Sequence, residues 1–181
     1  MITIQGPRLT LRTMTREEYH TGKRKYVSDP IMDPNPYVYD APKVDAGYDK
    51  CCAEEETYPR VGIFLPDGEI IGELSFKRIN YERSRCELGI MLLNDGYKEQ
   101  GYGREAFAMA CGYAFSTLGL KTIYADTMGS NIRMQRVMER LGFTCYMRME
   151  DCYDMGDRWE DRLDYVLQRE AFVDPAAGGP A

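Results

Sequence analysis

One segment constrains this chain more than any other: Leu92-Leu93-Asn94-Asp95-Gly96-Tyr97-Lys98-Glu99-Gln100-Gly101-Tyr102-Gly103-Arg104-Glu105-Ala106. An apolar strand runs into a glycine-bearing loop that opens directly into a helix. Glycine lets backbone approach a ligand closely, and a helix start offers unpaired N–H groups with about half a positive charge. Lys98 and Arg104 add full charges, so the segment reads as an anion cradle. Two familiar cradles fit poorly. A dinucleotide fingerprint wants a third glycine where Ala106 stands, although alanine is tolerated there and Asp126 sits near the place of its ribose-binding acid. That fingerprint also opens its fold, whereas several elements precede this one. A P-loop is excluded, because no Gly-Lys-Ser/Thr follows.

At 181 residues, with 44% apolar and 29% charged side chains, the chain has the size and composition of one folded domain. Its 29 acids against 23 bases leave a formal charge of −6, which argues against nucleic acid and suits a cationic partner such as an amine. Mild acidity equally serves solubility. The start, Met1 to Gln5, lacks the pattern of a secretory signal, and no apolar run is long enough for a membrane span. A cytoplasmic protein is expected. Its cysteines (Cys51, Cys52, Cys86, Cys111, Cys145, Cys152) form no CxxC pair and read as reduced thiols, with no metal site.

Residues 1–170 read as the single domain and 171–181, ending Asp174 to Ala181, as a disordered tail. Thr10 to Arg12 predicts an edge strand, and Thr15-Arg16-Glu17-Glu18 a capping box opening a helix to about Val27. Asp29-Pro30, Asp33-Pro34 and Asn35-Pro36 force a loop, and a second helix is expected from about Val44 to Thr57. Val61 to Leu65 and Ile70 to Ile79 form a hairpin across Pro66-Asp67-Gly68. Arg85 to Leu93 alternates, with Cys86, Leu88, Ile90 and Leu92 on one face and Glu87, Gly89, Met91 and Leu93 on the other. A helix from about Gly103 to Leu118, a strand from Thr122 to Asp126, a helix capped by Ser130 or Asn131 and a closing hairpin (about Phe143 to Glu150, Trp159 to Gln168) complete the chain. This order implies a mixed sheet flanked by helices.

From Glu87 to Leu167 the chain resembles the GNAT acyl-CoA N-acyltransferase superfamily, and most of all its ribosomal-protein N-terminal acetyltransferase branch. The resemblance rests on Gly101-Tyr102-Gly103-Arg104-Glu105-Ala106, Tyr113-Ala114-Phe115 with Leu118-Gly119-Leu120, and Asn131 with Val137 to Phe143. Gly156, Asp161 and Tyr165 to Leu167 resemble the branch's closing hairpin, and Arg8-Leu9-Thr10-Leu11-Arg12 matches its start. It implies an α+β fold of three α/β/α-like layers, a mostly antiparallel sheet of about seven strands with about four helices.

The resemblance also implies acetyl-CoA as cofactor. Lys98 and the N–H groups of Gln100, Gly101, Tyr102, Gly103 and Arg104 would hold its pyrophosphate, and Met91, Leu92 and Leu93 would pair with pantetheine. Asn131 would contact the CoA arm, a role compatible with capping the helix. Glu87 matches the place of a catalytic glutamate in histone-acetylating members and would deprotonate an amine, which is mostly ammonium at neutral pH. Its bland alternative is a strand glutamate paired with a neighbour such as Arg85. Met134 and Met138 occupy positions where members carry a serine or tyrosine acid, which motivates the rival reading of a non-catalytic acyl-CoA-binding or sensing module. Tyr124 and Tyr146 are possible proton donors. The expected acceptor is a primary amine: a peptide or protein N-terminus, a polyamine or an aminoglycoside-like molecule. Neither nucleic acid nor membrane is expected, and the protein would be a monomer or homodimer. Candidate acceptor walls are the acids between Asp29 and Glu56 with Tyr37, Tyr39 and Tyr48, and the hairpin acids Asp151, Asp154, Asp157, Glu160 and Asp161.

Overall fold

Helix starts follow local chemistry in the computed structural model, which describes residues 1–175. Thr15 and Glu18 exchange the reciprocal bonds of a capping box, opening α1 (Arg16–Lys25). Asp40 caps α2 (Ala41–Ala53), which begins and ends earlier than expected. Pro42 fits inside its first turn, where a missing N–H costs nothing. Gly119, at a φ of 68°, follows α3 (Tyr102–Ser116), and Asn131 caps α4 (Ile132–Arg140) through the Met134 N–H.

The strands are β1 (Thr3–Gln5), β2 (Thr10–Arg12), β3 (Arg60–Phe64), β4 (Ile70–Asn80), β5 (Arg85–Leu92), β6 (Thr122–Met128), β7 (Thr144–Asp154) and β8 (Trp159–Gln168). They form one 8-stranded sheet in the order β1-β2-β3-β4-β5-β6-β8-β7. β1 is the strand not anticipated: its 3 residues are too short for a periodic signal, and pairing with β2 defines it. Only β5 and β6 run parallel, joined by the α3 crossover. The expected mixed, mostly antiparallel sheet with flanking helices is what forms.

Alternation on β5 sorts the layers. Cys86 and Leu88 enter the main core with Phe107 and Ala114 of α3 and Met138 of α4. On the other face Met91 joins a smaller core with Tyr19 of α1 and Val44 of α2. The chain stays docked beyond 170: the Phe172 ring lies 5.6 Å from that of Phe115, and the Val173 N–H donates to Leu141. These contacts fall within the stretch expected as a tail, and residues 176–181 lie outside those described.

The sheet divides at its centre. β5 and β6 pair only over Arg85–Glu87 against Thr122–Tyr124. Beyond that point β5 stays with β4 as far as Leu92, and β6 with β8 as far as Met128. A wedge opens between two parallel strands, with Glu87 and Tyr124 at its vertex.

Candidate active site

Which backbone groups enter the wedge follows from the phase of the β4–β5 ladder. The Leu93 N–H donates to the Ile71 carbonyl at 2.9 Å. Antiparallel residues alternate between bonding the partner strand and turning away from it. Met91, Gly89 and Glu87 therefore share the phase of Leu93 and bond β4, while Leu88, Ile90 and Leu92 turn toward β6. Beyond Glu87 no β6 residue meets them. This corrects two of the residues expected along pantetheine: Met91 turns to β4, and the Leu93 carbonyl accepts from the Val27 N–H at 2.8 Å. Leu92 and Ile90 are the residues whose backbone groups face the open edge of β5. Face alternation alone could not reveal this, because it reports where side chains point and not where a ladder bonds.

The cradle lies just beyond Leu92. Gly101 holds a φ of 81°, a left-handed conformation that favours glycine and turns the chain into α3. The N–H groups of Gln100, Gly101, Tyr102, Gly103 and Arg104 have no acceptor among the described residues. A Cβ on Gly103 would meet only Leu92 Cδ1 at 3.8 Å, so space remains above the helix start. Arg8 braces the turn from behind, with Nε 2.7 Å from Glu105 and a bond of 3.1 Å to the Gln100 carbonyl. Its guanidinium also covers the Tyr102 ring at 5.0 Å. Arg104 is exposed and has no ion-pair partner among the described residues. Donors aimed outward around a glycine turn, with one free cation, suit a diphosphate.

Lys98 is placed differently from the expectation. Its ammonium is 16% exposed and lies 2.5 Å from both Asp29 and Asp95. Burial pulls its pKa down, but the hydrogen bonds to Asp29 and Asp95 outweigh this and raise it, so Lys98 is a cation already neutralised. Asp29 also reaches Arg133 of α4 at 3.1 Å. The loop after α1 thus ties the cradle to α4 through one carboxylate. Asn131 accepts from the Met134 N–H at 3.2 Å, the capping role foreseen for it, and its amide nitrogen lies 3.2 Å from the Met32 sulfur on that same loop.

At the vertex of the wedge is a cavity of about 340 Å³, lined among others by Glu87, Tyr124, Asp126, Tyr146 and Asp164. Glu87 is 16% exposed and pairs with Lys77 and Arg78, each at 3.2 Å, rather than with Arg85. Tyr124 and Tyr146 stack edge to face, centroids 6.0 Å apart. Desolvation, with Asp164 nearby, pushes the Tyr146 phenol above its ordinary pKa, so it keeps its proton. Met138 is fully buried and Met134 packs partly against the core, so both methionines serve structure.

The acids between Asp29 and Glu56 are largely engaged within the protein. Asp45 and Asp49 grip Arg16, Asp45 also meets His20 at 3.1 Å, and Asp40 caps α2. Tyr39 bonds His20 at 2.7 Å, Tyr48 packs on Tyr19 and Tyr37 on Tyr26. On the closing hairpin Asp161 pairs with Arg148, and Asp157 and Glu160 with Arg158. Reasoning from sequence missed Asp164 and Arg78 at this cavity, and named Asp126 and Arg85 only in other roles. The signal available was their parity: Arg85 shares the face of Glu87, and Asp126 that of Tyr124.

Comparison with known proteins bears on the fold and the family. No curated protein matches the chain in sequence. Among solved structures it is similar to a Vibrio cholerae spermidine N-acetyltransferase in complex with CoA and spermine. That pair shares 19% identity over 92% of this chain and 98% of the other, with a TM-score of 0.81. A GNAT-family acetyltransferase from Bacillus anthracis shares 22% identity over 93% and 99%, with a TM-score of 0.76. A Vibrio cholerae protein described as a ribosomal-protein-serine acetyltransferase shares 17% over 92% and 97%, with a TM-score of 0.73. At such identities these likenesses speak for the fold. The family model of the GNAT acetyltransferase domain matches residues 8–144, a stretch that includes the wedge, the cradle and α4. The chain belongs to the GNAT acetyltransferase family.

Proposed function

We propose that this protein transfers an acetyl group from acetyl-CoA to a primary amine by direct attack in a ternary complex, in the cytoplasm. The observation that carries the reading is the wedge, which runs from a row of unpaired N–H groups to a cavity holding a carboxylate. Acetyl-CoA supplies the thioester carbon that the amine attacks. The N–H groups of Gln100 to Arg104, with Arg104, hold its diphosphate. The backbone of Ile90 and Leu92 pairs with its amide arm as an added strand would. Asn131 borders the same path.

Glu87 handles the amine's proton. An alkylammonium, with a pKa of about 10 for a lysine-type amine, has no lone pair until a base takes its proton. A carboxylate at the vertex does this, directly or through water, and such a base supplies ~10²–10⁴-fold. Arg78 is 81% exposed, so an incoming ammonium can replace it on the Glu87 carboxylate at small cost. Tyr146, which keeps its proton, stands in the cavity as a donor for the departing thiolate.

The acceptor classes that fit a cavity of about 340 Å³ are small amines and the terminal residue of a peptide. Release of free CoA thiol from acetyl-CoA, followed across peptides, polyamines, aminoglycosides and amino acids, tests the reading. Turnover of at least one amine, with a velocity that rises as the amine deprotonates, is the expected result. CoA binding at the cradle without turnover of any amine would instead identify an acyl-CoA-binding module, the reading that Met134 and Met138 favour.

A further inference from the structure

We infer that the acceptor carries a carboxylate as well as its amine, and that Arg85 reads that carboxylate. The inference rests on the acetyltransferase reading above and names its substrate class. The ionic groups that line the cavity are not all paired. Its carboxylates are Glu87, Asp126 and Asp164, and its lining cations are Arg78, Arg85 and Arg162. Every carboxylate already has a cation. Glu87 holds Lys77 and Arg78, Asp164 holds Arg162 at 2.7 Å, and Asp126 lies 3.9 Å from the same Arg162 and accepts from the Tyr153 hydroxyl at 3.4 Å. Arg85 is left over. It has no carboxylate partner among the described residues, and its guanidinium sits over the Tyr124 ring, 5.8 Å from the centroid.

The lining thus holds three carboxylates and three guanidinium groups, and Arg85 is the guanidinium that no carboxylate pairs, because Asp126 and Asp164 share Arg162. With no carboxylate partner and only partial burial, the Arg85 guanidinium keeps N–H groups free to bond a ligand carboxylate. The Tyr124 face holds the planar group and leaves its N–H edge free for a two-pronged bond. Lysine, with a point charge and no fork, would do this less well.

The fold shows why Arg85 is free. β4 changes register between Lys77 and Asn80, and Arg78 within that bulge takes a left-handed φ of 51°. Bulges redirect side chains, and this one delivers Arg78 to Glu87. Arg85 is thereby released from pairing with the glutamate beside it. Position also orients the acceptor. Arg85 and Glu87 are two residues apart on one face, roughly 6.6 Å along the strand. Arg85 lies on the far side of Glu87 from the opening of the wedge. The amine would sit at Glu87 on its wedge side and the carboxylate at Arg85, as in an amino acid whose two ends are several bonds apart. A polyamine would set its second cation against Arg85.

The test compares three acceptors of equal length: an ω-amino acid, its carboxamide and the matching diamine, over graded chain lengths, by CoA release. Wild-type protein should favour the ω-amino acid about 10-fold or more in kcat/KM over both others. Arg85→Ala should lower kcat/KM for the ω-amino acid about 10–100-fold, chiefly through KM, and leave the carboxamide within about twofold. Arg85→Lys should restore part of the loss. Preference for the diamine, or equal losses on all three acceptors in Arg85→Ala, would overturn the inference. Calorimetry on the CoA-loaded protein separates it from the acetyltransferase reading, because it needs no turnover. The N-acetylated ω-amino acid should bind more tightly than its carboxamide, and Arg85→Ala should abolish the difference. Equal affinities in wild-type protein would refute the carboxylate site even if amines are acetylated.

Discussion

The two ends of the wedge are built from different materials. The donor end is backbone: N–H groups of Gln100 to Arg104, turned outward by a glycine at a φ of 81°. The acceptor end is side chains, a set of ion pairs on β4, β5, β6 and β8 with one arginine, Arg85, outside any pair among the described residues. Backbone presents the same groups whatever the residue, so the donor end can hold one invariant ligand. Side chains change with single substitutions, so the acceptor end is where specificity is written. Substitutions at the two ends should therefore fail in different ways.

The largest effect is expected at the vertex. Glu87→Gln keeps the shape and removes the base, so kcat/KM for an amine that is mostly protonated should fall ~10²–10⁴-fold. CoA affinity should stay unchanged by calorimetry. Loss of both together would merge the two ends into one.

Next comes the cradle. Gly103→Asp places a carboxylate where the diphosphate would lie, while its Cβ finds ordinary contact with Leu92 at 3.8 Å. Like-charge juxtaposition costs several kcal/mol, so CoA affinity should fall ~100-fold or more, with the melting temperature nearly unchanged. Retained affinity would move the diphosphate elsewhere.

A smaller and opposite effect is expected from Asp29→Asn. Asp29 neutralises Lys98 and Arg133 beside the cradle. Removing this one negative charge, with Asp95 still on Lys98, should raise CoA affinity about 3-fold at low salt and less at high salt. Calorimetry at two ionic strengths checks this; weaker binding at both would show that Asp29 organises the donor end instead.

The smallest effect belongs to the scaffold. The Arg12 guanidinium, aided by bonds from Thr15 and opposed by desolvation, holds the Glu18 carboxyl down to about 2. A depressed pKa gives stability that is fully present above the ordinary carboxylate range and is lost as pH falls toward 2. Glu18→Gln should cost about 1–2 kcal/mol at neutral pH, less as pH drops through that window, and leave CoA affinity alone. Denaturant unfolding between neutral and acid pH measures it, and an undiminished cost at low pH would break the linkage.

The same contrast explains what the sequence made legible. A glycine pair between an apolar strand and a helix is a local signal, and so is the alternation that put Cys86 and Leu88 in the core and Glu87 on the opposite face. The partners of Glu87 are not local. Lys77 and Arg78 reach it because β4 bulges, and a bulge shows only when two strands are laid side by side. Lys98 carries a basic signal in sequence, yet its charge is shared by Asp95, three residues back, and by Asp29, 69 residues away. Two of the three residues expected along pantetheine, Met91 and Leu93, have their backbone engaged elsewhere for a similar reason. Hydrophobic alternation fixes the face of a side chain, whereas the free edge of β5 depends on which residues bond β4.

Amide hydrogen exchange with and without acetyl-CoA tests the central claim most directly, because it reads backbone groups and requires no knowledge of the acceptor. The account predicts new protection at Ile90 and Leu92 and across Gln100 to Arg104, with Met91 unchanged because it already bonds β4. Unaltered exchange across the wedge and the cradle, at acetyl-CoA concentrations that saturate the protein, would contradict it.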